Sequence, residues 1–289
     1  MPEYEFVTTL PVLSARAPDG HKGDYGHVLV VAGSREMSGA AVLCAGGALR
    51  VGAGLVTVAT PNPVQPIVAA CEPCAMTLAL PASPEGHLDA SAEPALLEAA
   101  ETRTVLAVGP GLGIGRGVRG PVTALLTQTE KPIVLDADGL NALGPKPVVL
   151  KRSAPLVITP HPGEFARLTG LEIRDIQSRR EAVAAEFAAE FDVIVVLKGA
   201  GTIVTDGRRV YRNTTGNPGM ATGGAGDVLT GVIASLIGQG IEPFAAAQLG
   251  VYIHGRAGDL ARADVGELSL IATDLFTYLP RAIRSVARG

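Results

Sequence analysis

Six short runs rich in Val, Ile and Leu recur along the chain, and none alternates strictly between apolar and polar residues. They are "HVLVVAGS" (27–34), "LVTVATP" (55–61), "TVLAVGPGLG" (104–113), "PIVLDADGL" (132–140), "LVITPHPGE" (156–164) and "VIVVLKGAG" (193–201). A strand with water on one face alternates, whereas a strand covered on both faces need not, so these runs predict buried parallel strands. Segments with helical character lie between most of them, over 38–50, 90–101, 117–129, 163–170, 176–191, 226–239 and 243–263. Strand alternating with helix predicts a doubly wound α/β sandwich. The stretch "GTIVTDGRRVYRN" (201–213) differs, because two short runs around "DGRR" predict a β-hairpin that adds antiparallel strands at one edge. No composition break or low-complexity linker divides the chain, and the Pro-rich 80–94 reads as a surface loop entering a helix. Residues 1–289 are therefore expected to form one domain.

Composition narrows the partners. With 47% hydrophobic and 18% charged residues the chain is a packed globular protein, and a formal charge of −4 gives no basic footprint for nucleic acid. No apolar stretch reaches membrane-spanning length and the N-terminus reads as neither signal nor transit peptide, so no membrane partner and a cytoplasmic location are expected. Three cysteines make no disulfide framework. The "CEPC" spacing of Cys71 and Cys74 lacks the second pair that a four-ligand zinc site requires.

The residues that carry chemistry gather at the carboxyl ends of the apolar runs: Gly33-Ser34, Gly109-Pro110-Gly111, Asp136-Ala137-Asp138, His161-Pro162-Gly163-Glu164 and Lys198-Gly199. In open α/β sheets ligands bind beyond those ends, so the pattern predicts one composite site. The segment "ATGGAGDVLTG" (221–231) then acquires a reading beyond that of a capped turn. Backbone N–H groups at a helix start cradle a phosphate, and glycines keep side chains out of its way. An acid beside a phosphate is repelled by it, so Asp227 fits a general base better than part of the cradle. The phosphate loop GxxxxGK[ST] is absent and the first strand leads into "AGSREMSGAA" instead of GxGxxG, which disfavours a Rossmann dehydrogenase.

The motifs "HKGDYGHVLVVAGS", "SGAAVLCAGGALRVGAGLVTVATP", "GPGLG", "VLDADGLNAL", "TPHPGEFARLTG", "VLKGAGTIV" and "GNPGMATGGAGDVLTG" together resemble the NAD(P)H-hydrate dehydratases, from about residue 20 to about 280 and in the family's order. The frequent "GGTGD" appears here as "GGAGD", with Ala225 in the changed place. The resemblance implies a ribokinase-like three-layer α/β/α sandwich, its central sheet mostly parallel with an antiparallel edge hairpin. It implies nicotinamide-nucleotide repair: phosphorylation of the ring hydroxyl of the S epimer of NADHX or NADPHX by ADP, then loss of phosphate to restore NADH or NADPH, with AMP and phosphate released. ATP is the other possible donor, Mg2+ the implied cofactor, and the metal ligands stay unassigned.

By the same resemblance, Asp227 activates the hydroxyl, and Gly224, Ala225 and Gly226 form the anion hole. Lys198, Gly199, Ala200, Gly201, Thr202 and Gly226 contact the nucleotide, and the substrate lies across Ala40, Gly111, His161 and Asp227. Local readings stand beside these. His161 between prolines also reads as a turn histidine, Glu164 as a helix cap or a group near magnesium and phosphate, and Lys198 as a solvated strand-end charge. Asp136 and Asp138 place a metal-bound water or substrate, or form a capped turn, and Asn217 shapes the loop ahead of the cradle. Expected partners are NAD(P)HX, ADP and a separate NAD(P)H-hydrate epimerase, and the assembly implied is a homotetramer. Two other functions share parts of this pattern: a small-alcohol kinase such as hydroxyethylthiazole kinase, and a nucleotide sensor without turnover, against which the intact Asp227 argues.

Overall fold

The computed structural model describes residues 4–145 and 152–287. Among them, one sheet runs in the order β1 (Glu5–Phe6), β10 (Arg209–Arg212), β9 (Ile203–Thr205), β8 (Ile194–Leu197), β7 (Leu156–Ile158), β6 (Ile133–Leu135), β5 (Val105–Val108), β2 (His27–Val31), β3 (Leu55–Pro61) and β4 (Met76–Leu80). From β4 across to β8 all pairings are parallel. The expected hairpin is β9–β10, with β9 antiparallel to β8 as well. It is not outermost, because two-residue β1 pairs parallel with β10 through Glu5↔Arg209 and Phe6↔Val210. So short a strand leaves no run to read.

The lack of alternation has the expected cause. Val28 and Val30 enter one core while Leu29 and Val31 enter the other, all fully buried. Val105, Ala107, Val134, Val157 and Val196 repeat the first pattern, and Leu106, Leu135, Ile158 and Leu197 the second. Each such valine or leucine contributes about 1.5–3 kcal/mol relative to exposure. The first core is closed by α1 (Ser38–Arg50), α2 (Gln65–Cys71), α9 (Ala225–Gly238), α10 (Pro243–Val265) and α11 (Asp274–Arg284). The second is closed by α3 (Glu93–Glu101), α4 (Arg119–Gln128), α5 (Ala137–Asn141), α6 (Pro162–Thr169), α7 (Ile173–Ser178) and α8 (Arg180–Phe191). Three layers result.

Two helix expectations need correction. The span 90–101 opens as a 3-10 turn over Ala90–Ala92, whose start is capped where the Asp89 carboxylate accepts the Ser91 N–H (2.9 Å), before α3 begins. The span 176–191 breaks at Arg179, whose φ of −141° is not helical, and α7 starts three residues earlier than expected. Helices α2, α5 and α11 and strand β4 were not foreseen: α2 and α5 are short, α11 carries Pro280 inside it, and β4 is half-exposed "MTLAL".

The small residues of α1 pack it backbone to backbone on α9. A Cβ on Gly47 would clash with the Val228 carbonyl, and one on Gly231 with the Cys44 carbonyl. This contact brings the start of α9 close to the sheet's middle. There the chain reverses direction across the sheet: β2, β3 and β4 are laid outward one way, β5 to β8 the other. The crevice beyond β2 and β5 is thus a topological switch point. Among the described residues no helix is long and apolar enough to cross a membrane.

Candidate active site

Backbone without side chains lines the switch point. Gly33 follows β2 with φ +86°, and its N–H donates to the Pro110 carbonyl (2.8 Å). Gly109 and Gly111 follow β5 with φ of +127° and +61°, conformations that a Cβ would strain. A Cβ on Gly109 would strike the Asp136 carbonyl, while one on Gly111 would lie 2.7 Å from the Ala40 Cβ and 2.8 Å from the Met37 carbonyl. The expected pair Ala40 and Gly111 therefore meet. Asp138 ties this loop to the next, accepting the Gly113 N–H (2.8 Å) and the Asn141 amide (3.1 Å). Between Asp136 and Asp138, Ala137 holds φ +47°, a left-handed conformation costing roughly 1–2 kcal/mol for a residue with a Cβ.

The opposite wall is the mouth of α9. Gly224 caps the helix with φ +89°, and a side chain there would clash with Leu43 of α1. Gly223 looks onto open space. The first N–H groups of a helix have no partners within it, so those at the start of α9 form a donor nest. Asp227 lies in the first turn, its carboxyl pushed up to about 7. Burial is the main cause, the Asp136 carboxylate adds to it, and Lys198 opposes both. A carboxyl with that affinity for protons can accept one near neutral pH.

Lys198 is no solvated charge. Its Nζ donates to Asp136 Oδ1 at 2.6 Å and stands 3.9 Å from Glu164 Oε2. Burial pulls its pKa down, and the attraction of Asp136 and Glu164 outweighs that and raises it. Asp136, fully buried, also accepts from the Thr230 hydroxyl of α9 (2.8 Å). A Cβ on Gly226 would lie 3.3 Å from Lys198 Nζ and 3.9 Å from Asp136 Oδ2, which places the nest against this ion pair. The Lys198 N–H donates to the Pro160 carbonyl (2.9 Å), joining the loops after β7 and β8. Beyond it Gly199 and Gly201 take φ of +136° and +63°, Ala200 is exposed, and the Thr202 hydroxyl closes the turn on the Gly199 carbonyl (2.9 Å).

His161 caps α6. Its Nδ1 accepts the N–H groups of Gly163 (2.9 Å) and Glu164 (3.2 Å), while Glu164 Oε2 accepts the His161 N–H (2.7 Å). This is the turn-histidine reading and the helix-cap reading of Glu164 at once. It leaves the substrate reading open, because an accepting Nδ1 assigns the ring proton to Nε2 and half the ring is exposed. Burial, seconded by Asp136, raises the Glu164 pKa against the opposing pull of Lys198. Asn217 shapes its loop as expected: its Oδ1 accepts the Gly219 N–H (3.1 Å) and its amide donates to Asp259 Oδ1 (3.1 Å).

Four supporting residues escaped the sequence reading: Thr230, Asp259, Arg180 and His254. The Arg180 guanidinium donates to the carbonyls of Leu197 (2.9 Å) and Lys198 (3.2 Å). His254 Nε2 lies 2.8 Å from the Ala225 carbonyl. Asp259 is hinted at by "HGRAGD", which repeats the small-small-acid pattern one helix later; the others leave no local signal. Among the described residues no group of three or more His, Cys, Asp or Glu converges as a metal cage, and Cys71 and Cys74 are exposed free thiols.

Comparison with known proteins gives the family and the fold. The family model of the NAD(P)H-hydrate dehydratases matches residues 28–281. The bifunctional NAD(P)H-hydrate repair enzyme Nnr of Moorella thermoacetica is 48% identical over 95% of the chain and 52% of its own length. The chain thus spans about half the length of several curated relatives it matches. An ADP-dependent (S)-NAD(P)H-hydrate dehydratase of Bacillus subtilis is 36% identical over 96% of the chain and 95% of its own length. The crystal structure of an ADP/ATP-dependent NAD(P)H-hydrate dehydratase from that organism, co-crystallised with ATP/Mg2+, superposes with TM-score 0.82 at 34% identity, covering 95% of each chain. A ribokinase-like superfamily protein of Enterococcus faecalis superposes equally well, TM-score 0.82 at 28% identity, covering 96% of this chain and 93% of its own. With the family model matching most of its length and the Bacillus subtilis relative aligned nearly end to end, the chain belongs to the NAD(P)H-hydrate dehydratase family.

Proposed function

We propose that residues 1–289 act as one unit that dehydrates the S epimer of NADHX or NADPHX, using ADP as phosphoryl donor. The observation that carries this reading is Asp227. A carboxyl near 7 stands at the start of α9, with the Lys198 loop on one side and the Asp138-tied crevice on the other. The ring hydroxyl gives its proton to Asp227, and its oxygen attacks the β-phosphoryl group of ADP. The Gly224–Gly226 nest holds the charge of the transferring group, and AMP departs from the Lys198–Thr202 loop. Hydroxide leaves a ring poorly and phosphate leaves it well. The ring nitrogen expels phosphate, the neighbouring carbon loses a proton, and the reduced nicotinamide is restored.

Magnesium fits this donor set. Asp136 and Glu164 are oxygen donors beside the nest, and such an ion is commonly held by one or two carboxylates together with substrate phosphates. When bound it neutralises charge on the phosphates. ATP as donor, an epimerase that supplies the S epimer, a cytoplasmic location and a homotetramer belong to the same proposal; light scattering tests the last. The decisive experiment incubates the protein with magnesium, chemically hydrated NADH and either ADP or ATP while absorbance is followed in the reduced-nicotinamide band. A nucleotide-dependent rise with stoichiometric AMP (or ADP) and phosphate is expected. No rise with either donor, or a phosphorylated product that accumulates, overturns the reading.

A further inference from the structure

Within the glycine nest, the first turn of α9 is held by the Val228 N–H, which donates to the Gly224 carbonyl (3.2 Å), and no side chain of the nest adds a polar contact. Gly223, Gly224 and Gly226 carry no side chains, and Ala225 offers one methyl group to the core. Glycine moves freely between backbone conformations and helix ends fray, so a contact from outside the helix adds to the hold on these donors. Helix α10 supplies the backing. The Asn213 amide donates to the Val251 carbonyl (3.2 Å), the Thr215 hydroxyl to the Tyr252 carbonyl (2.9 Å), and Asp259 Oδ2 accepts the Gly216 N–H (3.1 Å). Gly258 lies against the Met220 side chain. One contact of this face reaches the nest itself: His254 Nε2 stands 2.8 Å from the Ala225 carbonyl.

That carbonyl is half of the Ala225–Gly226 peptide. The peptide is planar and trans, so fixing the direction of the C=O fixes the Gly226 N–H, which points the opposite way. A hydrogen bond at the oxygen also withdraws charge from the amide and makes its N–H a stronger donor. A carbonyl oxygen can only accept, so the ring proton must be on Nε2. Burial, which leaves the ring 9% exposed, and then the nearby Lys198 charge hold its pKa down at about 4, against the pull of the Ala225 carbonyl. The ring is therefore neutral wherever the protein is folded near pH 7.

We infer that His254 is a positioning residue for phosphoryl transfer: through the Ala225 carbonyl, its Nε2–H sets the direction and donor strength of the Gly226 N–H in the anion hole. The inference rests on the phosphoryl-transfer reading above, and its test separates the two. His254→Leu removes the donor, and His254→Gln returns an N–H at about the same reach. Removing one oxyanion donor outright costs roughly 100- to 1000-fold in kcat, so weakening one is expected to cost about 10- to 30-fold. With hydrated NADH and ADP, H254L should lose that much kcat with KM for ADP within about threefold of wild type, and H254Q should recover most of it. Protein labelled with 13C-carbonyl alanine and 15N-glycine limits the signals to the six Ala–Gly peptides of the sequence, and the one lost in Gly226→Ala is Ala225–Gly226. Its carbonyl and amide shifts should move in H254L and return in H254Q, which a merely structural histidine would not produce. Unchanged kcat and unmoved shifts in a folded H254L overturn the inference. If H254L does not fold, ring 15N shifts of wild-type His254 decide it, because a proton on Nδ1 is incompatible with the proposed bond. If wild type shows no turnover the functional reading fails, and the peptide shifts still report whether the histidine governs the nest.

Discussion

Asp227→Asn should stabilise the protein above neutral pH and leave it unchanged in acid. The folded carboxyl sits at about 7 against 3.8 in an ordinary setting, so the folded state holds its proton more tightly than the unfolded chain does. Below about pH 3 both states are protonated and the wild-type residue costs nothing. From about pH 3 to pH 7 the unfolded chain releases the proton while the folded one keeps it, so wild-type stability falls with rising pH; beyond about 8 the deficit is constant. Three units at about 1.4 kcal/mol each set an upper limit of about 4 kcal/mol, and partial solvation of the group brings the expected gain of D227N at pH 8 to about 2–3 kcal/mol. Urea midpoints at pH 3 and pH 8, without nucleotide, measure it. D227N should match wild type at the lower pH and exceed it at the higher, with turnover abolished and ADP binding retained. A D227N that is no more stable at pH 8, or whose gain does not depend on pH, refutes the buried-base assignment, and full activity in D227N refutes the catalytic one.

The charges around the base predict how it can be tuned. Wild-type kcat/KM should rise with pH through about 7, and Asp136→Asn should move that limb about one unit lower by removing a like charge. Lys198→Met should move the limb upward and weaken ADP binding, since the cation that lowers the Asp227 pKa is lost; pH–rate profiles with calorimetry check both. Gly226→Ala should raise the KM for ADP at least tenfold with little change in melting temperature, because the new methyl meets only Lys198 and Asp136 side chains. Gly231→Ala should cost about 3 kcal/mol or more of stability, or prevent folding, because its methyl would strike the Cys44 carbonyl of α1.

What was legible in the sequence shares one physical property: it is dictated over a few consecutive residues. Strands buried on both faces read as unbroken Val, Ile and Leu, and β2, β5 and β8 were visible for that reason. A phosphate nest needs glycines in succession beside a helix start, so Gly224, Gly226 and Asp227 could be placed together without any fold. Ala40 and Gly111 came from the family resemblance, and their adjacency became physical only when β2 and β5 proved to be neighbours. The strand β1 and the helix α11 were illegible because pairing with β10 and packing on the first core, not local pattern, hold them in place.

The tuning of the site was the least legible part, and contact separation explains why. Thr230 reaches Asp136 across 94 positions, Lys198 reaches it across 62, and His254 reaches Ala225 across 29. Each of those pairs exists only because β6, β8, α9 and α10 are brought to one end of the sheet. As isolated residues, a threonine within a helix or a histidine in "YIHGRAG" looks like any buried polar group that has found a partner. Their concentration here has a cost visible in the same structure: buried carboxylates that repel one another, a strained Ala137, and loops that need glycines at positive φ. The two continuous apolar cores offset that cost, and they do so through residues that touch no ligand. Stability is therefore held by the layers, while the strand ends stay free to carry strain that chemistry requires. A variant that relieves the strain at Asp227 should accordingly gain stability and lose turnover together, whereas one that loosens the α1–α9 contact should lose both.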